Sequence, residues 1–338
     1  MIKSVKIRLK PNGKAIKKIF NNTIKREEYE WLYEVSSQAI SEAFNDLQRA
    51  FDNFLNGKSK YPRFKTKKRS KQSFYVRYDR MNIKNNTVNI EKIGRVKFTT
   101  NYYIPILKSY VNPRCHFDGK YWYLTFGYEQ DENQVELNQD LSIGIDLGVT
   151  NLAVVSHMDN PIKNINKSPK VEKLEKKLKR LQRKCSRKYE MNKNGKKFIK
   201  TKNIIKLERK IKLIHRQLAN IRNNHIHQAT NSIVKLRPYR IVMEDLNISG
   251  MMKNKHLSKA IREQKLHEFL RQIEYKSKFN GIEFVKADRF FPSSKMCSSC
   301  GNIKKDLKLS DRIYTCNCGL KIDRDKNASI NLSNYKLA

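Results

Sequence analysis

Four of the six cysteines fall in one 22-residue segment, as C-S-S-C at Cys297–Cys300 and C-N-C at Cys316–Cys318. Two close pairs, separated by fifteen residues that can form a hairpin, can bring four thiolates to one tetrahedral zinc ion. The second pair has one intervening residue rather than two, and Gly319 supplies the turn that the tighter knuckle needs. Two independent reduced pairs, or a redox couple, are the competing readings. The crowding of Cys297, Cys300, Cys316 and Cys318 into one segment favours one structural zinc. Cys115 and Cys185 have no such spacing and read as ordinary residues.

Carboxylates form the second group. Asp146 ends the apolar alternation S-I-G-I-D-L-G, and Glu244 ends the apolar run R-I-V-M-E. An acid at the end of a largely buried strand costs several kcal/mol unless a cation or metal meets it. For either acid alone, a structural ion pair is a sufficient explanation. Asp325, in D-R-D-K-N-A-S, sits where the last helix begins, and there the ordinary role of an aspartate is the N-cap. Taken together, the three acids suit a shared site for two magnesium ions, which would hold a phosphodiester, activate water and stabilise the leaving oxygen. Asp323 is a possible accessory acid. His225-Ile226-His227 reads as a polar helix face rather than a metal pair.

The elements that must position these groups follow from patterning. Residues 3–9 alternate and form a strand ended by Pro11-Asn12-Gly13. Leu32, Val35, Ala39, Ala43, Leu47, Phe51 and Leu55 recur at helical spacing from Trp31 to near Gly57. Residues 61–78 interleave Arg63, Lys65, Lys67 and Lys68 with Tyr61, Phe64, Phe74 and Tyr75. Short alternating runs over 74–129, with turns at Asn85-Asn86 and Asp118-Gly119, predict an antiparallel sheet or small barrel. The acidic stretch 129–140 marks a domain boundary. Beyond it, 142–157 reads as two strands around Gly148, 239–250 as a strand, 263–278 as a helix and 281–289 as a strand.

Composition limits the class of function. The 338 residues carry 72 Lys+Arg against 32 Asp+Glu, a formal charge of +40, with 38% hydrophobic residues. That apolar content excludes a wholly disordered basic tail, and the charge calls for a polyanion. Residues 170–216 hold 20 Lys/Arg and 4 Glu. Their seams Val171, Leu174, Leu178, Leu181 and Ile204, Leu207, Ile211, Ile214, Leu218, Ile221 predict a helical hairpin around Asn194-Gly195. A solvated helix face is the plain reading of such a run, but the uncompensated charge favours nucleic acid lying along Lys176, Lys177, Lys179 and Arg180. No window approaches the roughly 18 uninterrupted apolar residues of a membrane span, and the N-terminus lacks a signal-peptide core, so the expectation is a cytoplasmic, nucleoid-associated protein with no membrane partner.

Several ordered strings resemble a known family: G-I-D-L-G-V-T-N-L-A (144–153), I-V-M-E-D-L (241–246), F-P-S-S-K-M-C-S-S-C-G (291–301) and C-N-C-G-L-K-I-D-R-D-K-N-A-S-I-N-L (316–332), with Y-P-R-F-K-T-K-K (61–68) as a weaker one. The sequence is similar to TnpB-type proteins of bacterial insertion sequences, RNA-guided nucleases related to type V CRISPR effectors. The resemblance implies an α+β multidomain protein. Residues 1–12 and 72–130 would form a β-barrel wedge domain, interrupted by a helical recognition domain at 13–71. Residues 131–290 and 323–338 would form an RNase H-like (RuvC) nuclease domain containing the basic hairpin 170–234, with a zinc ribbon insertion at 291–322.

The same resemblance places Asp146, Glu244 and Asp325 on the catalytic, magnesium-holding positions and Arg312 near the scissile strand. It implies a guide RNA from the transposon end and target double-stranded DNA as partners, with base pairing reading the sequence and the protein reading a short adjacent motif. The stretch between Pro11 and Trp31 is shorter than in relatives, which implies an abbreviated helical domain, and the chain stops at Ala338 without the relatives' basic tail. The leading expectation is an RNA-guided, magnesium-dependent DNA endonuclease. The alternative is a guide-RNA-dependent DNA-binding repressor that does not cut. A DNA-moving transposase is disfavoured, because nothing resembles a tyrosine-bearing relaxase site.

Overall fold

The computed structural model describes residues 2–10, 35–63, 70–79, 81–100, 104–105, 110–129, 135–195, 197–308 and 310–336. Lys65, Lys67 and Lys68 lie outside the described residues, as does Trp31. The chain divides into two compact units, Met1–Asp131 and Glu132–Ala338, and the division falls within the acidic stretch. No helix is long and apolar enough to cross a membrane among the described residues.

In the first unit, seven strands make an antiparallel sheet: β1 (Ile2–Lys10), β2 (Ser73–Tyr75), β3 (Asn82–Lys84), β4 (Thr87–Ile90), β5 (Gly94–Thr99), β6 (Val111–Phe117) and β7 (Trp122–Glu129). Their order is β2-β6-β7-β1-β5-β4-β3, so among the described residues β2 and β3 are the edges and do not pair with each other. Asn85 and Asn86 both take positive φ, 49° and 55°, and close the β3–β4 hairpin. Asparagine tolerates this left-handed conformation, which matches the strand twist. Val88, Val96, Leu124 and Phe126 form the centre of the core. Helix α1 (Ser37–Leu55) fastens to the sheet through polar groups, with Asp46 and Glu42 both paired to Arg114 of β6. The helical stripe expected from the sequence is therefore only partly buried: Val35 is covered, but Leu47 is exposed and Leu55 is 77% exposed.

The second unit is built on a five-stranded mixed sheet. Its strands are β8 (Asn138–Leu147), β9 (Asn151–Val155), β10 (Ile162–Lys163), β13 (Pro238–Glu244) and β14 (Glu283–Ala287), in the order β10-β9-β8-β13-β14. The β8–β9 and β9–β10 pairs are antiparallel, whereas β13 runs parallel to both β8 and β14. Between β10 and β13 the chain leaves the sheet as two long helices, α2 (Pro169–Met191) and α3 (Lys202–Val234), joined through the short strands β11 (Lys193–Asn194) and β12 (Lys197–Phe198). Val171, Leu178, Ile214 and Leu218 pack the two helices along the predicted seams.

After β13 come α4 (Ile248–Met251), α5 (Ser258–Gln264) and α6 (Leu266–Phe279), and after β14 the hairpin β15 (Ile313–Thr315) and β16 (Lys321–Asp323) leads into α7 (Arg324–Ser333). The single helix expected over 263–278 is broken at Lys265, which takes φ 56°. The break turns the Gln264 amide inward, where Nε2 donates to the carbonyls of Gly148, Val149 and Asn151 around the β8–β9 turn.

Alternation along the strands separates two faces. Ile143 and Ile145 of β8 join Ile241 and Met243 of β13 in a core capped by Ile226, Ile233, Phe269 and Ile273 of α3 and α6. The opposite parity faces α7, where Val242 packs with Leu332. Gly144 lets α7 sit directly on β8: a Cβ there would lie 2.0 Å from the Ser329 carbonyl oxygen and 2.3 Å from the Ser333 nitrogen. A glycine inside a strand often marks such an approach of backbone to backbone. The contact is reinforced where the Ser142 hydroxyl donates to the Ser333 carbonyl at 2.7 Å, and where Lys326 Nζ donates to the carbonyls of Val155, Ser156 and Met158.

Candidate active site and metal centre

Parallel pairing sets Ile145 opposite Met243, so Asp146 and Glu244 occupy the next register position on neighbouring strands. Strands lie about 4.8 Å apart, and residues at matching positions point to the same face. For these two acids it is the face covered by α7. The third acid arrives on the first turn of α7. Burial is the largest influence on Asp146 and pushes its carboxyl well above the ordinary carboxylate range, with the charges of Glu244 and Asp325 adding to the rise. The structure thus brings Asp146, Glu244 and Asp325 into one electrostatic neighbourhood.

Capping falls to a different residue from the one the sequence suggested. Asp323 is the N-cap of α7, its Oδ1 accepting from the backbone nitrogens of Asp325 and Lys326 at 3.0 Å each. An Asx cap reaches the N2 and N3 amides, so the residue just before the helix must hold it. Asp325 itself accepts from Arg324 Nη2 at 2.9 Å and lies 3.7 Å from Arg312 Nη1. Arg312 is exposed just before β15 and stands beside Asp325. Glu244 accepts a hydrogen bond from the Ser293 hydroxyl.

Oxygen donors crowded on one half-buried face suit magnesium, which prefers carboxylates and retained waters. Burial raises the Asp146 carboxyl, and the neighbouring charges of Glu244 and Asp325 add a repulsion that a positive partner would relieve. In metal-free protein, folded Asp146 keeps its proton to higher pH than the unfolded chain, whose aspartates titrate near about 3.9. Asp146's own contribution to stability therefore declines as pH rises from there through its folded titration. Asp146→Asn is expected to raise the melting temperature of metal-free protein at pH 7 and flatten that decline, as read by thermal melts from pH 4 to 8.

The four cysteines form the second centre. Sγ of Cys297 and Cys318 lie 3.6 Å apart, as do those of Cys300 and Cys316, and all four sulfurs lie within 4.8 Å of one another. Tetrahedral zinc with Zn–S bonds of about 2.3 Å needs sulfurs about 3.8 Å apart. The cluster fits a structural zinc site. Gly301 and Gly319 follow the two knuckles at φ 76° and 92°, conformations that leave room for the turns. One zinc per chain is expected by metal analysis of protein purified without added zinc. Cys297→Ser and Cys318→Ser should each lower the melting temperature, because metal binding is coupled to folding of the small ribbon.

The remaining sequence candidates separate clearly. Lys176, Lys177, Lys179 and Arg180 are exposed on α2. The hairpin's acids are partly used internally: Glu175 pairs with Arg222 at 2.7 Å, and Glu208 accepts from Tyr189 at 2.7 Å and pairs with Lys200. Arg63 and Tyr61 are exposed. Two aromatics of the 61–78 segment are not available for stacking, since Tyr75 is buried and Phe74 packs against the sheet core. Strand β2 carries both, on opposite faces of the sheet. His225 meets the Lys163 carbonyl and His227 meets Gln272, as a polar helix face does.

Patterning did not expose Ser293, Gln264, Lys326 or the buried asparagines Asn327 and Asn331. Gly144 alone carried a signal, as a glycine inside an apolar alternation.

A mixed α+β protein with a four-cysteine ribbon and acids on adjacent parallel strands is thereby defined. The chain is also similar to known proteins. Residues 267–332 match the family model described as "Cas12f1-like, TNB domain", and residues 125–255 match one described as "Probable transposase" of the OrfB_IS605 type. A "Putative RNA-guided DNA endonuclease" of Streptomyces pristinaespiralis is 31% identical over 312 residues, covering 91% of this chain and 73% of the relative. The "Putative RNA-guided DNA endonuclease InsQ" of Escherichia coli K12 is 27% identical, covering 86% and 71%. A cryo-EM structure of a Cas12f1–sgRNA–target DNA complex shares the fold with TM-score 0.58 at 13% identity, over 99% of both chains. The chain belongs to the TnpB-type family of RNA-guided DNA endonucleases.

Proposed function

We propose that this chain is a magnesium-dependent DNA endonuclease directed by a guide RNA from the transposon end, cleaving target double-stranded DNA beside a short adjacent motif. The observation that carries the reading is the register that sets Asp146 beside Glu244 under the helix bearing Asp325. Three antiparallel strands followed by two parallel ones, with helices on both faces, support an RNase H-like (RuvC) domain. The seven-stranded sheet supports the wedge domain, and α1 belongs to the helical recognition segment.

In this reading Asp146, Glu244 and Asp325 would hold two magnesium ions, which when bound would supply charge neutralisation and Lewis-acid activation of water. Asp146 and Glu244 are fixed by strand pairing, and Asp325 by the docking of α7. The Arg324 contact restrains the Asp325 carboxylate. Arg312, exposed beside Asp325, is placed to meet a phosphate of the strand being cut. The zinc ribbon, next to these acids, contributes to loading that strand. The basic face of α2 and the segment around Arg63 grip phosphates of RNA and DNA.

The test is cleavage of a guide-matched duplex with magnesium, scored beside gel-shift affinity. Wild type that binds its matched target but never cuts it, with any adjacent motif, would establish the repressor instead. Replacing Lys176, Lys177, Lys179 and Arg180 together by Gln is expected to weaken nucleic-acid binding and lower the slope of log affinity against log salt by up to about 3–4, since fewer counterions are released. An unchanged slope returns the helix face to solvent.

A further inference from the structure

Residues 291–298 pass from the end of β14 to the first zinc knuckle, and their backbone is held by two buried side chains of α7. Asn331 Nδ2 donates to the carbonyls of Ser293 and Met296, at 2.7 and 2.6 Å. One helical turn earlier, Asn327 Nδ2 donates to the Met296 carbonyl at 2.7 Å and its Oδ1 accepts from the Ser298 nitrogen at 3.0 Å. Asn327 is fully buried and Asn331 nearly so. Ser298 directly follows Cys297, so this grip acts on the backbone of the knuckle itself. At the other end of the same short segment, the hydroxyl of buried Ser293 donates to Glu244 Oε1.

We propose that Ser293 is a positioning residue for the Glu244 carboxylate, and that Asn327 and Asn331 make its position depend on the first zinc knuckle. The inference rests on the nuclease reading given above for the role of Glu244. A carboxylate held by a hydrogen bond from a buried hydroxyl loses less freedom when a ligand arrives than an untethered one, which must first be ordered. Helix α7 carries Asp325 in its first turn and the two asparagines in its second and third. One rigid element therefore sets Asp325 directly and Glu244 through Ser293. The serine hydroxyl holds Oε1 of Glu244 in the network. Hydrogen-bond partners of metal-binding carboxylates commonly matter by 10–100-fold in metal affinity or activity.

The decisive measurement is Mn²⁺ binding to the full-length protein, followed by electron paramagnetic resonance, with zinc content and melting temperature determined on the same samples. Sites lost in Glu244→Gln define the acid cluster. Ser293→Ala should bind Mn²⁺ there about 10-fold more weakly while retaining one zinc and a near-wild-type melting temperature. Its cleavage should require correspondingly more magnesium for half-maximal rate, with guide and target binding unchanged. Asn331→Asp keeps the shape but loses the amide donor, and should weaken Mn²⁺ binding in the same direction with zinc still present.

Wild-type Mn²⁺ affinity in both zinc-loaded variants overturns the proposal. If Asn331→Asp fails to fold, Ser293→Ala decides alone. Wild type that never cleaves would overturn the nuclease reading, and the Mn²⁺ comparison would still decide the role of Ser293.

Discussion

Asp146→Ala, Glu244→Ala and Asp325→Ala are each expected to abolish cleavage while sparing binding of guide and target. Each removes a carboxylate from one electrostatic cluster, and losing several kcal/mol of charge stabilisation corresponds to about 10³-fold or more in rate. Binding should persist or strengthen slightly, because a negative charge leaves a strongly basic protein. Calcium should support binding but cut poorly, since its looser coordination suits an in-line site less well.

Asp323→Ala is the informative contrast. It removes the cap that accepts from the amides of Asp325 and Lys326, at a cost of about 1 kcal/mol, and should slow cleavage modestly through fraying of α7. The measurement is single-turnover cleavage beside gel-shift affinity. A wild-type rate for Asp325→Ala would shift the third ligand to Asp323.

The second large effect is expected at a residue with no side chain. Gly144→Ala would place a methyl group 2.0 Å from the Ser329 carbonyl oxygen and 2.3 Å from the Ser333 nitrogen. Both are backbone atoms in a helix held by Ser142, Lys326, Asn327 and Asn331, so they have no rotamer to give. Overpacking usually costs about 1–3 kcal/mol. With rigid backbone on both sides, the expected loss is at the upper end, about 3 kcal/mol, which lowers the melting temperature of a domain this size by about 6–12 °C. Cleavage should fall further than stability explains, because a displaced α7 carries Asp325 away from Asp146. Thermal melts with cleavage measured well below the transition separate the two. An unshifted melting temperature would mean that α7 docks elsewhere than on β8.

Residue by residue, the sequence by itself determined what local spacing controls. The two cysteine pairs announced the four-cysteine ribbon because ligand spacing within a knuckle is set by a few backbone dihedrals. Asp146 and Glu244 stood out as acids ending apolar strands, because alternation fixes which positions are buried. The α2–α3 hairpin was legible from two apolar seams, and the β3–β4 turn from Asn85-Asn86. Tertiary structure decided what depends on partners distant in the chain. Strand periodicity does not say that β8 pairs in parallel with β13, nor in which register, yet that pairing is what sets Asp146 beside Glu244. A helix with good local periodicity breaks at Lys265, and the buried Gln264 amide beside the break meets the carbonyls of the β8–β9 turn, partners 113–116 residues away in the chain. The choice of Asp323 over Asp325 as cap, and the links from Asn327 and Asn331 through Ser293 to Glu244, required hydrogen-bond partners up to 49 residues apart. Short-range geometry is written in neighbouring residues, while polar groups brought together by burial take whichever partner the packed fold supplies.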